Sequence, residues 1–408
     1  MSEKRLLFCA AFAAVSIVLV GAPTATASGP KERTLYSFQG QNQGGSPYEI
    51  DGLIADHSGN LYGTTEYGGI NDNGVVFELT PSSVVGGLWT EAALYSFQSA
   101  NDGARPMGGL AFDKAGNLYG TTAYGGPSGY GSVFELSPPA IAGGLWTETV
   151  LYFFQGGADG EMPISGVILD SLGNLYGTTE SGGTIGAGTV FELSPPAVQG
   201  AAWIETLLLS FDGYGGSHPY GGLLLSPEGD LFGTTIGTLC CYGAVFKLDR
   251  PARGQSSWRE AVLYTFSGNN GAGPVGNLAL GSDGTLYGVT NEINDYGLGW
   301  GTVYQLTPAG PWTETTIYNF TGGNNAAPLN LTFHQGNLYG TTQGYENSGL
   351  VFELTLQGGN WVETILHDFA GTDGSWPAAR LTFSKGGFYG TTVSGGYYGQ
   401  GVFFEVTP

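Results

Sequence analysis

The chain writes a version of Leu-Tyr-Gly-Thr-Thr seven times, centred on Tyr62, Tyr119, Tyr176, Phe232, Tyr287, Tyr339 and Tyr389. Successive copies lie 57, 57, 56, 55, 52 and 50 residues apart. A period of that size belongs to closed or stacked arrays, whose units bury their apolar faces against one another. The repeat also supplies an internal control. Residues present in every unit are architectural, and residues that break the pattern are the better candidates for function.

One unit, from Gly109 to Phe154, reads as four short runs, a to d. Run a is Gly109–Asp113 and ends in the turn Lys114-Ala-Gly-Asn117. Run b is Leu118–Thr122, followed by a Gly-rich loop. Run c is Ser132–Leu136, and run d spans Trp146–Phe154. Each is five to nine residues long, bounded by Gly, Pro, Asn or Asp, and no helical period persists. Run d opens with Trp-x-Glu six times, at Trp89, Trp146, Trp203, Trp258, Trp312 and Trp361. A proline precedes every run a, from Pro47 to Pro377, where its missing N–H costs no ladder bond.

Seven four-stranded units without helices predict an all-β fold, a seven-bladed β-propeller of antiparallel blades. Thr34–Phe38 reads as a fourth run with no unit before it, and Pro408 follows a third run. The N-terminal strand is therefore expected to complete the last blade and close the ring, removing two free edges.

The first 27 residues stand outside this pattern. Lys4 and Arg5 precede an apolar run from Leu6 to Val20, and Ala25-Thr-Ala27 fits a cleavage site. Residues 1–27 read as a secretory signal peptide and 28–408 as a single propeller domain. The expectation is a secreted, periplasmic or cell-surface monomer with no membrane insertion after cleavage. Without Glu3, Lys4 and Arg5 the chain keeps 10 basic residues against 33 acidic ones. Such a surface repels phosphate backbones and argues against nucleic-acid binding. Cys240 and Cys241 are adjacent. They fit a vicinal disulfide or a pair of small buried thiols.

The pattern of Gly116-Asn-Leu-Tyr-Gly-Thr-Thr122, Gly125-Gly126 and Gly131-Ser-Val-Phe-Glu-Leu136 resembles the bacterial GloVer tandem-repeat (choice-of-anchor) family over residues 34–408. A weaker similarity is to kelch repeats. The GloVer resemblance implies an exported bacterial repeat protein, sometimes with a C-terminal surface anchor, which is not expected here because Pro408 directly follows a repeat strand. It implies no activity.

In a propeller the d–a and b–c connections share one face, and here both vary while the a–b turns are uniform. Variable loops on a rigid scaffold are where binding resides. Two tryptophans lie outside the repeat positions, Trp300 in a b–c loop and Trp376 in a d–a loop. With Tyr296, Tyr345 and Tyr398 they are candidate stacking platforms for sugar rings or peptide side chains. Such aromatics also pack loops together. Glu66, Glu180 and Glu292 follow run b and are expected to face the channel as ligand-binding acids. Asp102, Asp159 and Asp373 sit in d–a loops as Asp-Gly turns, without the spacing of a calcium loop. No cofactor is called for, calcium being the one ion these loops could take. Arg105 and Arg380 are the basic residues expected near the candidate face. Lys247, Arg250, Arg253 and Arg259 concentrate near one c–d loop, where they dock an anionic partner or pair with Asp249 and Glu260.

No nucleophile–base motif occurs. The leading expectation is a non-catalytic exported propeller that recognises a glycan or cell-surface protein. The alternative is a polysaccharide-active hydrolase or lyase using the channel acids.

Overall fold

The computed structural model describes residues 31–408 except 85, 142, 199, 215, 238–241, 253–254, 256, 292–298, 309 and 346–347. Seven antiparallel blades, each with strands in the order a-b-c-d, form a propeller as the repeat predicts. In blade 2 these strands are Ala111–Phe112, Leu118–Thr122, Ser132–Ser137 and Thr147–Phe153. Run a is shorter than its apolar stretch suggests, because only two residues pair with strand b in each of the first four blades. A bulge at the same place in every c–d pair, between Val133 and Phe134 in blade 2, adds local twist. Among the described residues no helix is long and apolar enough to cross a membrane.

Each letter of the repeated pentapeptide has a structural task. Leu118 is fully buried in the sheet-to-sheet core. Tyr119 leans on Trp203 of the next blade, ring centroids 6.3 Å apart, and its hydroxyl donates to Asp113 at 3.2 Å. A Cβ on Gly120 would lie 2.6 Å from the Phe134 ring, so only glycine lets that ring cross strand b. Thr121 Oγ1 donates to Ser165 O of the next blade at 2.7 Å, and Thr122 Oγ1 meets Ser132 Oγ at 2.9 Å, tying strand b to strand c. The pentapeptide thus bonds each blade to itself and to its neighbour.

Closure follows the sequence expectation. Lys31–Ser37 pairs antiparallel with Val402–Thr407, and Arg33 Nη2 lies 2.8 Å from Glu405 Oε2. Leu35 and Phe38 are fully buried. This strand carries no tryptophan, and Tyr339 of blade 6 stacks instead on Phe388, centroids 4.0 Å apart.

Candidate functional site

The residue before each strand-a proline takes a left-handed backbone conformation in all seven blades. These residues are Ser46, Arg105, Met162, His218, Gly273, Ala327 and Trp376, with φ between 53° and 60°. Six of them are not glycine, and such a conformation costs free energy wherever a Cβ is present. Hydrogen bonds hold it. Arg105 N donates to Asn73 O of the preceding blade at 2.8 Å, while Ala123 N of its own blade donates to Arg105 O at 3.0 Å. His218 N donates likewise to Ala187 O, and Trp376 N to Ser348 O. The scaffold therefore fixes the backbone of seven positions around the channel mouth and leaves their chemistry free to differ.

The residues after strand b form a second ring beside the first. Arg105 Nη1 lies 3.7 Å from Glu66 Oε1, and its guanidinium sits 4.9 Å from the Tyr67 ring centroid and 5.5 Å from that of Tyr124. Two blades on, His218 Nδ1 contacts Glu180 O at 3.1 Å. Burial raises the Glu180 carboxyl above its ordinary range, and the nearby His218 offsets part of that rise. Across the channel Tyr48 and Tyr220 meet hydroxyl to hydroxyl at 3.2 Å. Burial pushes Tyr220 well above the usual phenol range, and Tyr48, Glu180 and Glu66 all add to the shift. The Tyr48–Tyr220 pair thus forms a floor between the two carboxylates. Ile236 and Val393 pack with Tyr48 and Tyr220 against the same apolar core.

Below this floor the channel narrows. A void of about 10 Å³ lies under the two tyrosines, room for no more than one water. Next comes a polar belt. Asn330 Nδ2 donates to Ile50 O and Ala378 O, Asn330 Oδ1 accepts from Asn277 N, and Asn277 Oδ1 accepts from Gly222 N. Asp51 Oδ2 accepts from both Gly109 N and Gly166 N, at 2.9 and 2.5 Å. Arg380 lies deep in the channel, where burial lowers its pKa and Asp51 opposes that shift. Arg380 is thus not at the candidate face as expected. It lines a cavity of about 440 Å³ beyond the belt, standing between the two short pieces of strand a in blade 7, Ser375–Pro377 and Thr382–Ser384.

Of the predicted site residues, Glu66 and Glu180 come together around the Tyr220 floor. Trp376 takes one of the seven left-handed positions and is 49% exposed on the rim. Tyr398 is exposed beside Tyr397, centroids 4.8 Å apart. Trp300 and Tyr345 pack on each other at 5.3 Å, and Trp300 also rests on the core of blades 5 and 6. Tyr296, Glu292, Cys240 and Cys241 lie outside the described residues. Sequence reasoning missed His218 and Asp51 as site components, and although it counted Tyr48 and Tyr220 among the aromatics near the d–a loops, it gave no sign that the two meet. A signal for the first ring was present: the residue before each repeat proline changes from blade to blade.

The widest grooves lie elsewhere. One of about 770 Å³ on the a–b/c–d face includes Phe232, Lys247 and Trp312. It is a consequence of blade packing, since Phe232 and Trp312 are one of the inter-blade aromatic pairs. Lys247 spends its charge locally, 2.6 Å from Asp230 and 2.7 Å from Asp249.

Burial makes stability depend on pH. Glu91 and Glu148 are pushed up to about 7 by burial, Glu148 also by Asp102, and the fully buried Glu49 rises well above its ordinary value. A carboxyl raised above its unfolded value of 4.5 binds its proton more tightly in the folded state. Its contribution is complete below pH 4.5 and is lost as pH rises through 7. The melting temperature is expected to fall between pH 5 and pH 8 in thermal scans at fixed ionic strength, and a rise over that interval would contradict the assignment.

The fold and this basin define a seven-bladed propeller with one differentiated face. The sequence profile of the Gloeobacter/Verrucomicrobia repeat matches residues 24–146, 91–300 and 237–408, and the chain belongs to that family. No curated protein matches it in sequence. Among solved structures it resembles a candidate 6-phosphogluconolactonase of Bacteroides fragilis, at 18% identity and TM-score 0.52, covering 83% of this chain and 87% of the other. It also resembles the polysaccharide lyase Uly1, at 12% identity and TM-score 0.52, covering 93% and 99%. At these identities the likeness is one of fold.

Proposed function

We propose that this chain is an exported binding propeller whose d–a/b–c face recognises a glycan. The observation that carries the proposal is the ring of seven left-handed residues, identical in backbone and different in side chain. Backbone strain is maintained at the same place in six of the seven blades, and that place surrounds the basin floored by Tyr48 and Tyr220. Trp376 and the Tyr397–Tyr398 pair supply exposed aromatic faces for sugar rings. Arg105, His218, Glu66 and Glu180 supply polar groups for hydroxyls or a carboxylate. Export rests on the charged and apolar segment that ends at Ala25-Thr-Ala27.

A glycan array probed with the purified chain tests the proposal. Trp376→Ala and Arg105→Ala are each expected to weaken binding about tenfold or more, with the melting temperature within a few degrees of the parent. Trp300→Ala is expected to do the reverse, lowering the melting temperature because Trp300 is packed on the core. Capture of a surface protein with no glycan signal would replace the ligand class. Binding untouched by Trp376→Ala and Arg105→Ala would remove the face.

A second reading rests on Glu180. A carboxyl raised by burial beside an imidazole and a phenol suits a general acid acting on a polysaccharide. Incubation with a polysaccharide panel tests it: new ends or unsaturated products lost in Glu180→Gln would support an enzyme. Products persisting in that variant would acquit Glu180.

A further inference from the structure

Five of the seven junctions between outer strands share one arrangement, and of the two that depart from it one does so in a chemically informative way. Near the end of each strand d stands a residue that faces the following d–a loop and the Trp-x-Glu glutamate of the next blade. At the junction of blades 1 and 2, Tyr95 Oη donates to Asp102 Oδ2 at 2.7 Å, with Glu148 close enough to Asp102 to have its carboxyl raised by it. Tyr152 donates to Asp159 at 3.0 Å beside Glu205, and Tyr318 donates to Glu363 at 2.7 Å beside Asn325. Tyr264 with Asn270 and Glu314, and Tyr36 with Gln43 and Glu91, repeat the pattern. The equivalent residue is a tyrosine in five junctions and Leu209 in a sixth. At the junction of blade 6 with the closing strand it is His367.

His367 Nε2 lies 2.9 Å from Asp373 Oδ2 in the d–a loop. Glu32, on the closing strand, completes the group. One ligand atom from each of the three lies within 4.8 Å of the other two, the one such group among the described residues. The side chains of His367 and Asp373 are 18% and 28% exposed, so solvent reaches the cluster. Ala370 N donates to Asp373 Oδ1 at 2.8 Å and Thr34 Oγ1 to Glu32 Oε1 at 3.2 Å, which orients both carboxylates.

We infer that Glu32, His367 and Asp373 form a binding site for a divalent transition metal, which locks the closing strand to blade 6. The substitution of imidazole for phenol turns a hydrogen-bonding junction into a set of one nitrogen and two oxygen ligands. The two carboxylates neutralise a dication there, the imidazole offers a ring nitrogen, and water can fill the remaining positions. Imidazole among the ligands favours zinc-like ions over calcium, which prefers an all-oxygen set of six or more. The site joins the two ends of the chain: the N-terminal strand on one side, and on the other the last complete strand d with the loop that follows it into blade 7. Its natural consequence is a ring whose closure strengthens with metal.

The test uses the chain stripped with chelator and titrated with zinc by calorimetry at pH 7.5, alongside His367→Tyr and Glu32→Gln. His367→Tyr restores the side chain that five sister junctions hold, so it is expected to fold with a melting temperature close to the parent's without metal. The parent is expected to bind one zinc and to melt higher when loaded. Each variant is expected to bind zinc at least about tenfold more weakly and to lose the metal-dependent rise. No zinc binding by the parent, equal binding by parent and His367→Tyr, or a preference for calcium over zinc would each overturn the site.

Discussion

Removal of residues 31–38 is expected to lower the melting temperature by about 10 °C and to shift the protein toward dimers or larger species. The strand supplies the outer edge of blade 7 through its ladder with Val402–Thr407. It also buries Leu35 and Phe38 completely. Burial of two such side chains is worth about 2–3 kcal/mol each, before any hydrogen bond is counted. Leu35 O further accepts from Trp89 N at 3.0 Å, so the loss spreads into blade 1. Calorimetry and size-exclusion chromatography measure the two effects. A synthetic peptide of residues 31–38 is expected to restore the melting temperature of the truncated chain. An unchanged melting temperature after truncation would mean that closure does not depend on this strand.

Asp51→Ala is expected to cost about 3–5 kcal/mol, the largest effect of any single substitution proposed for this chain. Asp51 does three things in the belt. It caps the Gly109 and Gly166 amides, and it faces Arg380 deep in the channel. Alanine leaves two inward-pointing amides without an acceptor and a guanidinium without a counter-charge. Removing Arg380 as well should recover part of the loss, namely the share that comes from the uncompensated Arg380 charge rather than from the two amides. Denaturant unfolding of Asp51→Ala, Arg380→Met and the double variant gives the coupling directly. Additive losses would show that the two side chains do not interact.

Both predictions concern groups of different legibility. The closing strand was readable because a fourth run stands at the N-terminus without a unit before it. The belt was not. Asp51, Asn277, Asn330 and Arg380 break the small-residue habit of their positions, but sequence gives no sign that they converge. Arg380 shows the difficulty: its place next to a d–a loop suggested the candidate face, whereas it lines the cavity of the lower channel. Trp300 and Trp376 were equal as non-repeat tryptophans. Only packing separates them, one resting on the core and one left half-exposed at a strained backbone position.

The repeat by itself determined the blade count, the strand order, the antiparallel pairing and the closure, because each depends on local patterns copied seven times. Tertiary structure alone decided which side chains meet across the ring. Tyr48 and Tyr220 are 172 positions apart and touch; Glu32 and His367 stand at opposite ends of the chain and share a cluster. Contacts of that kind arise from the radial convergence of blades, and a periodic sequence encodes the neighbour relation between units rather than the chemistry at their common axis or at the seam where the ring closes.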